Sequence, residues 1–122
     1  MALSDETTEE LLSACRTTVG DELRSITYFT PDEYDHLYLR EDLERGDDPE
    51  AFVENERQGF SSQRTYEWSE LGEYEYTIRV FTAGHLVRVI TDDEGVYVTT
   101  GDLTMDRFGA LVEAIQSILN EE

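Results

Sequence analysis

Lysine is absent from this chain of 122 residues, and nine arginines face 29 acidic residues for a net charge of -20 at neutral pH. With no basic cluster to displace counterions from phosphates, direct DNA or RNA binding is not expected. Cysteine is almost absent as well. Cys15 stands alone, which excludes an intrachain disulfide and a thiolate metal cluster. Its place on an apolar helical stripe reads as a buried, inert thiol. No apolar run approaches the roughly 20 residues needed to cross a bilayer, and no apolar region follows the start. The expected setting is therefore soluble and cytoplasmic, with no membrane partner. There is no glycine-rich phosphate loop and no nucleophile elbow. The spacing of Ser, His and Asp suggests no triad, and no acid–base pair stands out among so many carboxylates. No pattern therefore points to catalysis, a cofactor or a metal site, and the reading leans away from an enzyme without closing that question.

What is present is enough for a folded core. The hydrophobic fraction is 39%, with seven Tyr, five Phe and one Trp inside alternating segments, which argues against disorder. No linker or internal repeat divides the chain, so residues 1–122 read as one α+β domain with 1–6 frayed. At molar salt the Debye length shrinks to about 3 Å, screening the repulsion among surface carboxylates. The composition therefore fits a halophilic protein of a salt-rich cytoplasm.

Along the chain, Thr7-x-x-Glu10 is a capping-box pattern ahead of Leu11, Leu12, Cys15 and Val19, predicting a helix over 8–19 that Gly20 ends. Residues 23–30 read as a strand. Thr30-Pro31-Asp32-Glu33 then resembles a second helix start, with Tyr34, Leu37, Tyr38 and Leu43 on one side and a break at Gly46-Asp47. Asp48-Pro49 restarts a helix carrying Phe52, Val53, Glu56 and Phe60. Residues 64–68 are read as a loop or a short strand. A final helix is capped by Thr104 and carries Phe108, Leu111, Val112, Ile115 and Leu119 toward the sheet.

The centre of the chain is the stretch 72–100, which alternates as three antiparallel strands. Turns centred on Ala83-Gly84 and Asp93-Glu94 would pair Val80 with Val87, Ile78 with Val89, and Val89 with Val98. Tyr74, Tyr76, Ile78, Val80, Val87, Val89, Val96 and Val98 then share the core face. The other face holds Thr77, Arg79, Phe81, Leu86, Arg88, Ile90, Tyr97 and Thr99. In that register Arg79 lies directly opposite Arg88, a repulsive pairing that calls for an anionic answer. Three answers are open: carboxylates of the same chain, a partner subunit, or a bound phosphate or carboxylate gripped by both guanidiniums.

Other candidates weigh less. Arg64, Tyr66 and Trp68 are residue types enriched at interface hot spots, although Trp68 could simply cover one end of the core. Asp32 and His36 sit at helical spacing but lack the third and fourth ligands of a metal site. His85 reads as an exposed turn residue. Asp92-Asp93-Glu94-Gly95 has turn chemistry but not the ligand pattern of a calcium loop.

The segments ITYFTPDEYDHLYLRED (26–42) and SELGEYEYTIRVF (69–81), with the missing lysines, resemble a family of small uncharacterised haloarchaeal proteins. That resemblance carries over no catalytic or binding residues. The order of elements loosely resembles roadblock and profilin-like domains, whose sheets often dimerise or bind partners. The leading expectation is a non-enzymatic interaction module, as homodimer or adaptor, using the Arg79/Arg88 face or the 64–68 segment. The alternative is a small-anion binding protein or enzyme using Arg79 and Arg88, with Tyr97 as a further residue of such a site.

Overall fold

Five antiparallel strands organise the computed structural model, which describes residues 3–42 and 49–121. Helix α1 (Asp5–Val19) starts earlier than the Thr7 pattern predicts, because Ser4 accepts a hydrogen bond from the Thr7 N–H. Gly20 ends it at φ 58°, a conformation that favours glycine. Strands β1 (Leu23–Phe29) and β2 (Tyr34–Leu39) form a hairpin. Helix α2 (Pro49–Arg57), the short helix α3 (Gly59–Ser62) and a 3-10 turn (Gln63–Tyr66) lead to the meander β3 (Thr77–Phe81), β4 (Gly84–Ile90) and β5 (Gly95–Thr100). Helix α4 (Met105–Glu121) closes the chain. The sheet order is β2-β1-β5-β4-β3, so β1 lies beside β5, while β2 and β3 form the two edges.

Where Thr30-Pro31 is predicted to open a helix, Tyr34–Leu39 is a strand, and the cause is a hydrogen-bonding ambiguity. The Thr30 hydroxyl does accept from the N–H groups of Asp32 and Glu33, as a helix cap would. The Thr30 N–H, however, donates to the Glu33 carbonyl at 2.8 Å and closes a hairpin loop. A bulge between the Ile26–Tyr38 and Thr27–His36 pairs leaves Leu37 unpaired. As a result Leu37 and Tyr38 both pack on the same cluster. The bulge thus imitates the i, i+3, i+4 spacing of a helix in Tyr34, Leu37 and Tyr38. The predicted Leu43, the Gly46-Asp47 break and the Asp48 cap lie outside the described residues.

The meander keeps its faces but not its register. Val80 pairs with His85, Ile78 with Val87, and Val89 with Val96, each two residues from the expected partner. Because side chains alternate with period two, an even shift leaves every residue on the same side. Val87, Val89, Val96 and Val98 therefore do meet Phe108, Leu111, Val112 and Ile115 in a cluster completed by Leu11, Cys15 and Val19 of α1. Burial pushes the Cys15 thiol up to about 12. Tyr74 is a correction, for it packs against the other face. Val80 is another, since it is 75% exposed at the end of β3.

Helices cover both faces. Across the sheet from α1 and α4, Val53 of α2 and Phe60 of α3 pack on Phe29, Leu86, Ile90 and Tyr97. Two like-built loops anchor this layer. Thr91-Asp92-Asp93-Glu94 repeats the hydrogen bonding of Thr30-Pro31-Asp32-Glu33: the Thr91 N–H donates to the Glu94 carbonyl and its hydroxyl accepts from Asp93 and Glu94. Arg57 Nε donates to the Thr30 carbonyl at 2.7 Å, and Gln63 Nε2 donates to the Thr91 carbonyl at 3.0 Å. The segment thus reads the same backbone position in both loops.

Candidate interaction surface

Arg79 and Arg88 share the second face but do not oppose each other. Arg79 pairs with Leu86 and Arg88 with Thr77 and Tyr97, which makes the two arginines diagonal neighbours. Both are answered by Glu56 of α2. Its Oε2 accepts from Arg79 Nε at 3.0 Å, and its Oε1 accepts from Arg79 Nη2 at 3.2 Å and Arg88 Nη1 at 3.1 Å. Arg88 Nη2 also donates to Thr77 Oγ1 at 2.9 Å and Tyr74 Oη at 3.3 Å. The guanidinium lies so close over Gly59 that a Cβ there would stand 2.6 Å from Arg88 Cζ. Glu56 is 2% exposed, so these donors answer a carboxylate that water hardly reaches. The surplus positive charge rests on Arg79, whose side chain is 37% exposed and reaches water.

The predicted site residues therefore divide. Leu86, Arg88 and Tyr97 are buried beneath α2 and α3, and burial lifts the Tyr97 phenol above its ordinary value. Phe81 remains 57% exposed, and Tyr66 and Arg64 are exposed. Residues 63–66 form a 3-10 turn, not a strand. Trp68 does not cover the core: it is 99% exposed. Asp32 lies in a hairpin loop and His36 on β2, with His36 Nδ1 3.0 Å from Thr27 Oγ1. His85 is a half-buried β4 residue edge-on to Phe108, not an exposed turn residue.

Sequence reading missed Val80 and Leu71, which are 75% and 79% exposed. Val80 and Phe81 end the edge strand β3. A signal for them exists in the distribution of acids. Between Glu75 and Asp92 the chain has no Asp or Glu, although acids make up nearly a quarter of it. For the buried strand β4 that is ordinary. For an edge strand, normally blunted by charge, it leaves only Arg79, which is paired with Glu56. The other edge carries Asp35 within β2 and is flanked by Asp32, Glu33, Glu41 and Asp42.

Trp68 has a local cost of its own. Glu67 has φ -57° and ψ 137°, Trp68 has φ 67°, and the Ser69 N–H donates to the Tyr66 carbonyl at 3.0 Å. These values describe a type II turn whose third position favours glycine. Left-handed backbone costs a residue with a Cβ about 1–2 kcal/mol.

The comparisons with known proteins agree with this architecture. The model of the domain of unknown function DUF7522 matches residues 9–120. The chain belongs to the DUF7522 family. No curated protein matches this DUF7522 chain. Among solved structures, Myxococcus xanthus MglB superposes with a TM-score of 0.60 at 8% identity, covering 99% of this chain and 96% of that one. The gliding protein MglB of Thermus thermophilus superposes with a TM-score of 0.61 at 12% identity, covering 100% and 97%. At such identities the likeness of the DUF7522 chain to MglB is one of fold. Among the described residues, no helix is long and apolar enough to cross a membrane.

Proposed function

We propose that this protein is a non-enzymatic interaction module that assembles as a homodimer by pairing β3 with β3 of a second copy, in a salt-rich cytoplasm of haloarchaeal type. The carrying observation is that β3 is an edge strand without a single carboxylate, presenting Val80 and Phe81 to solvent in a chain of net charge -20. Two-fold antiparallel pairing of one edge with itself satisfies the free backbone groups and, with the axis at Val80, sets that exposed side chain against its own copy. It also keeps the carboxylate-rich β2 edge away from the contact. The roadblock-like order of elements supports the same reading as a fold-level analogy.

Anion binding by Arg79 and Arg88 loses its support, because the Glu56 carboxylate already occupies the place an anion would take. The test is sedimentation in about 2–4 M salt, where surface repulsion is screened. The expected species has twice the 14.0 kDa chain mass, and Val80→Glu returns it to a monomer. A monomeric wild type under these conditions refutes the dimer.

A further inference from the structure

We infer that Trp68 and Leu71 form an anchor for a heterologous protein that presents an apolar socket rimmed by arginine or lysine. Neither residue serves the fold. Trp68 is 99% exposed on backbone that favours glycine, and Leu71 is 79% exposed on the next turn, which the Gly72 N–H closes onto the Ser69 carbonyl. The loop is hydrogen-bonded throughout, with the Glu67 N–H on the Arg64 carbonyl and the Leu71 N–H on Ser69 Oγ. The backbone turns therefore direct an indole and an isobutyl group away from the core. An anchor on a backbone ordered in this way spares the cost of ordering the loop on binding.

The charge around the loop selects the occupant. Exposed Glu67, Glu70, Glu73 and Glu75 flank the two apolar residues along the chain, and among the described residues no arginine lies within ion-pair distance of them. A cationic rim in direct contact would answer those carboxylates, because ion pairs at contact are little weakened by a Debye length of about 3 Å. A second copy of this chain suits the loop poorly. It carries a net charge of -20 with only nine arginines, of which Arg40, Arg57, Arg79 and Arg88 already pair with Asp42, Glu54 and Glu56, so its surface repels the loop's carboxylates. This anchor is separate from the β3 edge and does not depend on the dimer.

Trp68 is the chain's sole tryptophan, so its emission and acrylamide quenching report on this loop alone. The probe is a synthetic amphipathic peptide with an apolar face flanked by arginines, set beside a glutamate-flanked version and phosphatidylcholine vesicles. The arginine peptide is expected to shift the emission to the blue and protect the indole from quencher. By titration calorimetry, Leu71→Ala should weaken its binding about tenfold, the scale of one interface residue. Replacing Glu67, Glu70, Glu73 and Glu75 by Gln should weaken it further, while Glu9→Gln with Glu10→Gln on α1 leaves it unchanged. Trp68→Asn should abolish binding and raise the melting temperature by about 2–5 °C, because asparagine tolerates positive φ.

A fall in melting temperature for Trp68→Asn would give the residue a structural role and overturn the inference. Equal binding of the glutamate peptide, a response to vesicles alone, or equal loss with the α1 substitutions would overturn it too. Val80→Glu should leave peptide binding intact. Loss of binding there would tie the loop to the dimer edge and refute its independence.

Discussion

The two faces of the sheet are held by different physics. Against α1 and α4 lies a dry layer of valine, leucine, isoleucine and phenylalanine, in which Leu11, Val87, Val98, Leu111 and Ile115 are fully buried. Against α2 and α3 lies a smaller apolar cluster beside a buried carboxylate with two guanidiniums. Burial on the first face stabilises in proportion to area and tolerates trimming gradually. The second face depends on complete satisfaction of charge, so one deletion there leaves an uncompensated ion.

The contrast can be broken from either side. Glu56→Ala removes the shared acceptor and leaves Arg88 buried without it. The expected loss is about 3–5 kcal/mol, checked by denaturant unfolding at fixed salt. Replacing Glu56, Arg79 and Arg88 together by apolar residues of similar volume should recover most of that loss. Leu111→Ala on the dry face should cost about 2–4 kcal/mol through lost burial and a residual cavity. If Glu56→Ala costs less than Leu111→Ala, the ionic face is less critical than its burial indicates.

Smaller effects sharpen the picture. Gly59→Ala drives a methyl into the Arg88 guanidinium and should cost about 1–3 kcal/mol, as overpacking does. Cys15 gives a pH signature. Its thiol is raised from an ordinary value near 9.0 to about 12 by burial, so the folded state holds the proton more tightly than the unfolded state does. That contribution is complete below about pH 9 and is lost as pH rises toward 12. Cys15→Ala should flatten this part of the stability profile, and wild-type Cys15 should resist alkylation near neutral pH until the chain unfolds. Least of all, Val80→Glu should change monomer stability by within about 0.5 kcal/mol, since the side chain is exposed.

The dry face was legible in the sequence because its valines alternate strictly and its α4 stripe is unbroken. Even a register error of two residues could not misplace them, the error being even. The α2 face was legible only as a demand. Two arginines on one side of a sheet require an anion, but nothing local says which of 29 carboxylates supplies it, and Glu56 lies 23 and 32 residues from its partners. Strand β2 was illegible for a sharper reason. A threonine hydroxyl accepting from the next backbone N–H groups starts a helix or closes a hairpin with the same atoms. The bulge at Leu37 then removed the alternation that would have decided between them. The exposed ends of β3 were misplaced because alternation reports a side of the sheet, not how far the covering helices extend.

Hairpin tips are ordinarily where a protein best accepts inserted residues or grafted tags. Here two of the tips have a fixed length. Arg57 and Gln63 reach the Thr30 and Thr91 carbonyls from one continuous stretch of chain, so lengthening either tetrapeptide would pull its carbonyl away from its donor. Grafts at these two tips should be rejected, leaving the Thr82–Ala83 bend as the permissive one of the three hairpins.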